Sequence, residues 1–308
     1  MVQRGGVALT PGGGWWAIDR LLVAYLAASG LFALLLGGAP GLVIAGIHVV
    51  GCGAVWILGR WRPAGGVGGF FRASHPVLLT PILYFELATL NRFLTDRFFD
   101  STVQAWDQAL FAGQPSLYLS QALPWLPLSE ALHLGYVAYY AIVPAALFGT
   151  YRTRGIDALH RTAFGVALTF FVCYGIFAVF PVAGPRYEFE RISSALADGT
   201  FFGIVHSILE SGSSKGTAFP SSHIAASLAA VLGAGREDRR WFLALIVPEV
   251  ALALGTVYGR FHYAIDAVVG VLLAIAVWVV APALFTLLSR QATRPDIRVS
   301  NRVQEDRP

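Results

Sequence analysis

The stretch AIDAVVGVLLAIAVWVVAPALFTLL, residues 264–288, carries a single charge, Asp266, near its start and is apolar from there on. A helix rises about 1.5 Å per residue, so a run of this length crosses the hydrocarbon core of a bilayer, which is about 30 Å thick. Working outward from it, uncharged or nearly uncharged runs recur near 21–38, 41–59, 76–94, 131–149, 162–181, 220–235 and 241–258. Eight spans are predicted, 220–235 being the shortest. Composition agrees: 56% of the 308 residues are hydrophobic and 13% charged, against about 25% charged in soluble domains. The fold class expected is all-α, a polytopic membrane helix bundle with an outer interfacial helix.

Basic residues give an orientation. If alternate connections share a side, sixteen of the 22 fall with the two termini, in the segments around Arg4, Arg60, Arg152, Arg236 and the tail from Arg290. The other side holds Arg92, Arg97, Arg186, Arg191, Lys215 and Arg260. Both termini are therefore expected in the cytoplasm, and size and arginine bias lead us to expect a cell (plasma) membrane. The polar leader Met1–Arg20 is long and a second span follows the first at once, so the first span reads as retained and not as a signal peptide. The net charge of +4 reports this topology, and nucleic acid is not an expected partner. Cys52 and Cys173 both lie in spans, which argues against a disulfide framework or a thiolate metal site.

Three regions are expected: 1–129, the N-terminal spans and interfacial helix; 130–289, a helical catalytic core; and 290–308, a polar disordered tail. The glycine-rich RPAGGVGGF (62–70) reads as a flexible connector. Segment 95–130 mixes tryptophans and apolar residues with prolines and single charges. It is too polar to span and too apolar for a free loop, so it is expected to lie in the interface.

Unusual polar groups collect on one side, in 182–219 and in the short turn GRFHYAID (259–266). His262 and Asp266 stand at i, i+4, one helix face, where a carboxylate can fix the tautomer of an imidazole and aim its other nitrogen outward. A buried polar pair that only ties helices together has the same spacing. However, Arg260 is two residues away, His223 opens another helix and Arg186 ends a third. Pro220 suits a helix start, where the N–H groups of Ser221, Ser222 and His223 offer donors to an anion. The helix dipole contributes only about 0.3–1 kcal/mol there. Arg186 and Arg260 would therefore supply most of the grip on a phosphate.

FPSSHIAAS (219–227) and RFHYAID (260–266) resemble the second and third motifs of the type 2 phosphatidic acid phosphatase superfamily of membrane lipid phosphatases and phosphotransferases. PVAGPRY (181–187) resembles its arginine-containing first motif. Their order and placement at successive helix ends also match, over roughly 130–285, and the "HY…D" pattern is nearest to the inositol phosphorylceramide synthase-like branch. The resemblance implies attack by His262 on a lipid phosphate to give a phosphohistidine, with Asp266 orienting and His223 as acid, on the extracytoplasmic side, and no metal or other cofactor. Arg186, Arg260, Ser221 and Ser222 would bind the phosphate. Two family cations are missing, because Val179 and Thr256 stand in their places. Arg260 and Lys215 are the nearby candidate substitutes.

Two alternatives stand beside this reading. One is a phosphoinositol or other head-group phosphotransferase. The other is a proton- or ion-coupled transporter using His223, His262 and Asp266 as a relay, for which Glu86 and Glu249 are the acids inside spans. The remaining histidines, His48, His75, His133, His160 and His206, show no zinc-type spacing and read as structural or interfacial.

Overall fold

The computed structural model describes residues 15–61, 63 and 65–290. The disordered tail expected at 290–308 thus lies, from residue 291, outside the described residues, as does the polar leader up to residue 14. Among the described residues there are helices and no strands. In order they are α1 (Ala17–Leu36), α2 (Gly38–Leu58), α3 (Gly66–Phe85), α4 (Leu87–Leu94), α5 (Asp100–Phe111), α6 (Pro115–Ala122) and α7 (Leu126–Val179). After α7 come α8 (Pro185–Glu188), a 3-10 turn (Ala195–Asp198), α9 (Thr200–Gly212), α10 (Ser222–Glu237), α11 (Arg239–Tyr258) and α12 (Ala264–Arg290).

Five of these helices, α1, α2, α7, α11 and α12, are long and apolar enough to cross a membrane, and six if the bent pair α3–α4 is counted as one span. The protein is membrane-embedded. Each of the eight expected runs has a helix, and the differences in count have local causes. Gly155, at φ 82°, interrupts α7, so its two halves cover the runs predicted at 131–149 and 162–181. The run at 76–94 turns by 60° between α3 and α4. Helix α10, with 16 residues, is short for a span. The expected flexible connector at 62–70 is shorter than anticipated, because α3 is already helical from Gly66. Segment 95–130 forms two short helices, α5 and α6, where one was expected.

Helices α7, α10, α11 and α12 form the centre. Helix α11 lies against the first half of α7 through small residues: a Cβ at Gly255 would meet the Leu132 carbonyl oxygen at 2.2 Å, and one at Gly135 the backbone of Ala251 at 2.6 Å. Such close approach is how helices associate where lipid removes the hydrophobic drive. Helix α2 sits at the periphery, with Val49 and Val50 about three-quarters exposed. In water that surface would be an aggregation patch, whereas against lipid tails it carries no penalty.

Candidate active site

Helix polarity sorts the molecule into two ends. The loop that follows α7, the start of α10 and the α11–α12 turn all lie at one end, the histidine end. Backbone bonds stitch these segments together. The Ala218 N–H donates to the Val182 carbonyl (3.0 Å) and the Ser221 N–H to the Asp266 carbonyl (3.0 Å). The N–H groups of Phe261 and His262 both donate to the Thr256 carbonyl, at 2.9 and 3.1 Å. Thr256, where the family cation is missing, thus fixes the turn that carries His262 through its backbone.

Helix α5 adds two carboxylates seven residues apart, hence on one face. Asp100 accepts from the N–H groups of Ala183 (2.9 Å) and Gly184 (2.8 Å) and from the Tyr263 hydroxyl (3.0 Å). Asp107 accepts from Ala264 (3.0 Å) and Ile265 (2.8 Å), capping α12 from outside its own chain segment. Both are buried. A carboxylate shared by two N–H groups is a charge-assisted contact of about 1.5–3 kcal/mol per bond. The helix expected merely to lie in the interface therefore clamps the segments that carry Arg186 and His262. Nothing in the local sequence of Asp100 and Asp107 marks them beyond their spacing on an apolar helix.

The stitched segments bring His223, His262 and Arg186 to one cavity of about 50 Å³, which Tyr84 and Tyr136 also line. The two imidazole centroids are 6.0 Å apart. His262 Nδ1 lies 3.4 Å from Asp266 Oδ2, which also accepts the Tyr263 N–H at 2.8 Å. Asp266 is fully buried and its Oδ1 has no partner among the described residues. Burial pushes His262 down to about 4, opposed by the Ala218 carbonyl, so the ring is neutral near pH 7. His223 packs its ring 4.4 Å from Tyr139 and 5.4 Å from Tyr136 (centroids), and its Nδ1 has no partner among the described residues.

The other expected phosphate ligands are placed differently. Among the described residues Arg186 is the only Lys or Arg lining the cavity, and its Nη1 donates to Ser213 Oγ at 3.0 Å. Ser221 is the N-cap of α10, with its Oγ 3.5 Å from the Ile224 N–H and its own N–H committed to Asp266. Its expected donor is thus spent. The N–H groups of Ser222 and His223 stand in the first helical turn, where intrahelical acceptors do not exist. Arg260 does not reach this cavity. It sits at φ 60°, and its guanidinium donates to the carbonyls of Glu190 (2.5 Å) and Leu117 (3.3 Å) and to Ser120 Oγ (3.3 Å). Held by three acceptors, it locks a backbone conformation that is unfavourable for a residue with a Cβ. Lys215 stands at the rim, its Nζ 5.2 Å from the ring of Tyr187, a cavity residue, and 4.7 Å from that of Phe98.

His206 stacks on Phe202 at 4.0 Å and lines an adjoining cavity with Arg191 and Arg260. Glu86, without an evident partner in sequence, is bonded to His48 at 2.9 Å. Both carboxylate oxygens of Glu249 are buried without a partner among the described residues.

The sequence profile described as the PAP2 superfamily matches residues 101–280, more than half of the chain. The chain belongs to the PAP2 superfamily. The match begins within α5, so it takes in Asp107 together with the three motif segments. A PA-phosphatase related-family protein of Dictyostelium discoideum is 29% identical over 104 residues, 32% of this chain and 19% of its own length. The chain thus matches about a fifth of that relative. No solved structure matches.

Proposed function

We propose that this PAP2 superfamily member cleaves a phosphate ester of a membrane lipid through a phosphohistidine at His262. The observation that carries the reading is the convergence of His223, His262 and Arg186 on one cavity, the two rings 6.0 Å apart. Asp266 holds Nδ1 of His262, so Nε2 attacks phosphorus. The P–N bond forms as the P–O bond to the leaving alcohol breaks, and His223 delivers a proton to that oxygen. Water then attacks phosphorus, the P–N bond breaks and the water proton goes to His223. Arg186 and the N–H groups of Ser222 and His223 stabilise the equatorial oxygens. The reaction requires no metal. By the distribution of basic residues, the histidine end faces away from the cytoplasm, in the plasma membrane, with both termini inside.

One observation favours the second reading, head-group transfer of the inositol phosphorylceramide synthase type. With Val179 and Thr256 in place of cations and Arg260 bonded elsewhere, Arg186 is, among the described residues, the single guanidinium on the cavity. One guanidinium balances a phosphodiester monoanion better than a monoester dianion.

The test uses the purified full chain in detergent. Brief exposure to lipid labelled at phosphorus is expected to leave an acid-labile, base-stable label on the protein, absent from His262→Ala. Release of free phosphate from phosphatidate, against label transfer from a phosphodiester lipid to an alcohol, separates hydrolase from transferase. Ion flux in proteoliposomes without any lipid turnover would replace both readings by the relay.

A further inference from the structure

At the end of the bundle opposite His223 and His262, the second half of α7, the end of α10 and the end of α12 enclose a cavity of about 160 Å³. Its depth is apolar, with Ala229, Val277 and Phe285 on its walls, and its rim is charged, with Arg161, Arg236 and Glu237. Arg161 is paired with Glu237 through Nε and Nη2, at 2.7 and 2.8 Å. Arg236 lies over the ring of Trp278 at 4.4 Å and gives one bond, 2.8 Å, to its carbonyl. After the ion pair the lining residues keep one net positive charge, with donors of both guanidiniums left over, while Asp157 acts on Arg161 from outside the lining. The exposed Arg239 and Arg240 open the next helix at the same end. Inside, Thr162 is nearly fully buried, lines the cavity, and its hydroxyl has no partner among the described residues.

An unpaired buried hydroxyl costs about 1–3 kcal/mol, which a bound polar group would relieve. Basic rims over apolar clefts between membrane helices suit anionic lipid head groups. We propose that this cavity binds an anionic phospholipid of the leaflet at that end, its phosphate on the Arg161–Arg236 rim and its glycerol and upper acyl chain between α7, α10 and α12. The charge of the rim selects against zwitterionic lipid, and the apolar depth selects against a free phosphate. The site is separate from the histidine end and stands whether or not the catalytic reading does.

The experiment compares retention of phosphatidylglycerol and phosphatidylcholine by the full chain purified from mixed micelles containing equal amounts of each. About five-fold enrichment of phosphatidylglycerol is expected, the factor that one cation near a lipid surface contributes. A Cβ at Gly165 would meet only Ala281 Cβ, at 4.0 Å, so Gly165→Leu places its side chain in the cavity without a backbone clash. It should abolish the enrichment. Arg236→Gln, an exposed position, keeps the fold and should reduce it towards equal retention. Equal retention by the unaltered chain, or enrichment that survives in Arg236→Gln, overturns the proposal. Inorganic phosphate competing as well as the lipid would also overturn it. Phosphate release at the histidine end, measured on the same preparations, reports the catalytic reading separately.

Discussion

The protein buries ionisable side chains at both ends, and the two clusters behave differently. At the end opposite the histidines, Arg72 is fully buried, donates through Nη1 and Nη2 to Asp19 at 2.7 and 2.5 Å, and lies 4.5 Å from the Trp16 ring. Its charge is matched in place, and it fastens α1 to α3. At the histidine end, Arg186, His223 and His262 face a cavity, and among the described residues Asp266 Oδ1 and His223 Nδ1 have no partner. Burial of charge alone does not make a site. Arg72 Nε and His75 Nε2 also have no hydrogen-bond partner among the described residues, so what distinguishes the second cluster is that its unpaired His223 nitrogen borders a space that a ligand can enter.

Substitutions should separate the two. The largest effect on turnover is expected at the proposed nucleophile: His262→Ala should lower phosphate release by about a thousand-fold or more with unchanged thermal unfolding. Turnover at the unaltered rate in that variant would erase the contrast. Arg186→Ala follows, with about a hundred-fold loss in kcat/KM, the scale of removing one stabiliser of developing charge. Asp100→Ala sharpens the comparison, since it acts at a distance by releasing the Ala183 and Gly184 N–H groups. About a ten-fold loss of turnover and about 1–3 kcal/mol of stability are expected, read by kinetics and denaturation. Arg72→Ala should do the reverse, costing about 3–5 kcal/mol of stability while each folded molecule keeps its turnover.

Acidity and metal give the smallest effects. His262 is pushed down to about 4, so the neutral form that the proposed attack requires persists above that pH and is lost as pH falls through it. The acid limb of kcat/KM due to this group should lie near pH 4, below the ordinary histidine range of about 6.5. An acid limb at the ordinary value would mean a more hydrated ring. Chelation with EDTA is expected to leave turnover unchanged, and loss of activity reversed by a divalent ion would remove the metal-independent mechanism.

The spans were legible in the sequence because bilayer thickness imposes a length that composition alone reveals. The motif residues were legible because His262 and Asp266 are close along the chain, and because His223 and Arg186 sit at helix ends. Arg260 was a natural second phosphate ligand by proximity, two residues from His262. Its left-handed backbone instead sends the guanidinium to carbonyls of segments about 70 and 143 residues distant. Asp100 and Asp107 looked like ordinary charges on an interfacial helix, since their partners are N–H groups that only the folded chain brings near.

The sequence by itself determined the solvent, the helical class and the histidine–aspartate pair, because each depends on composition or on spacing within a turn or two of helix. Tertiary structure alone decided which cations reach the cavity, what clamps the motif segments, and that Arg161, Arg236 and Glu237 meet at the rim of another cavity at the opposite end. Those outcomes depend on distances between groups far apart along the chain, and on how many hydrogen bonds each group has left once its neighbours are in place.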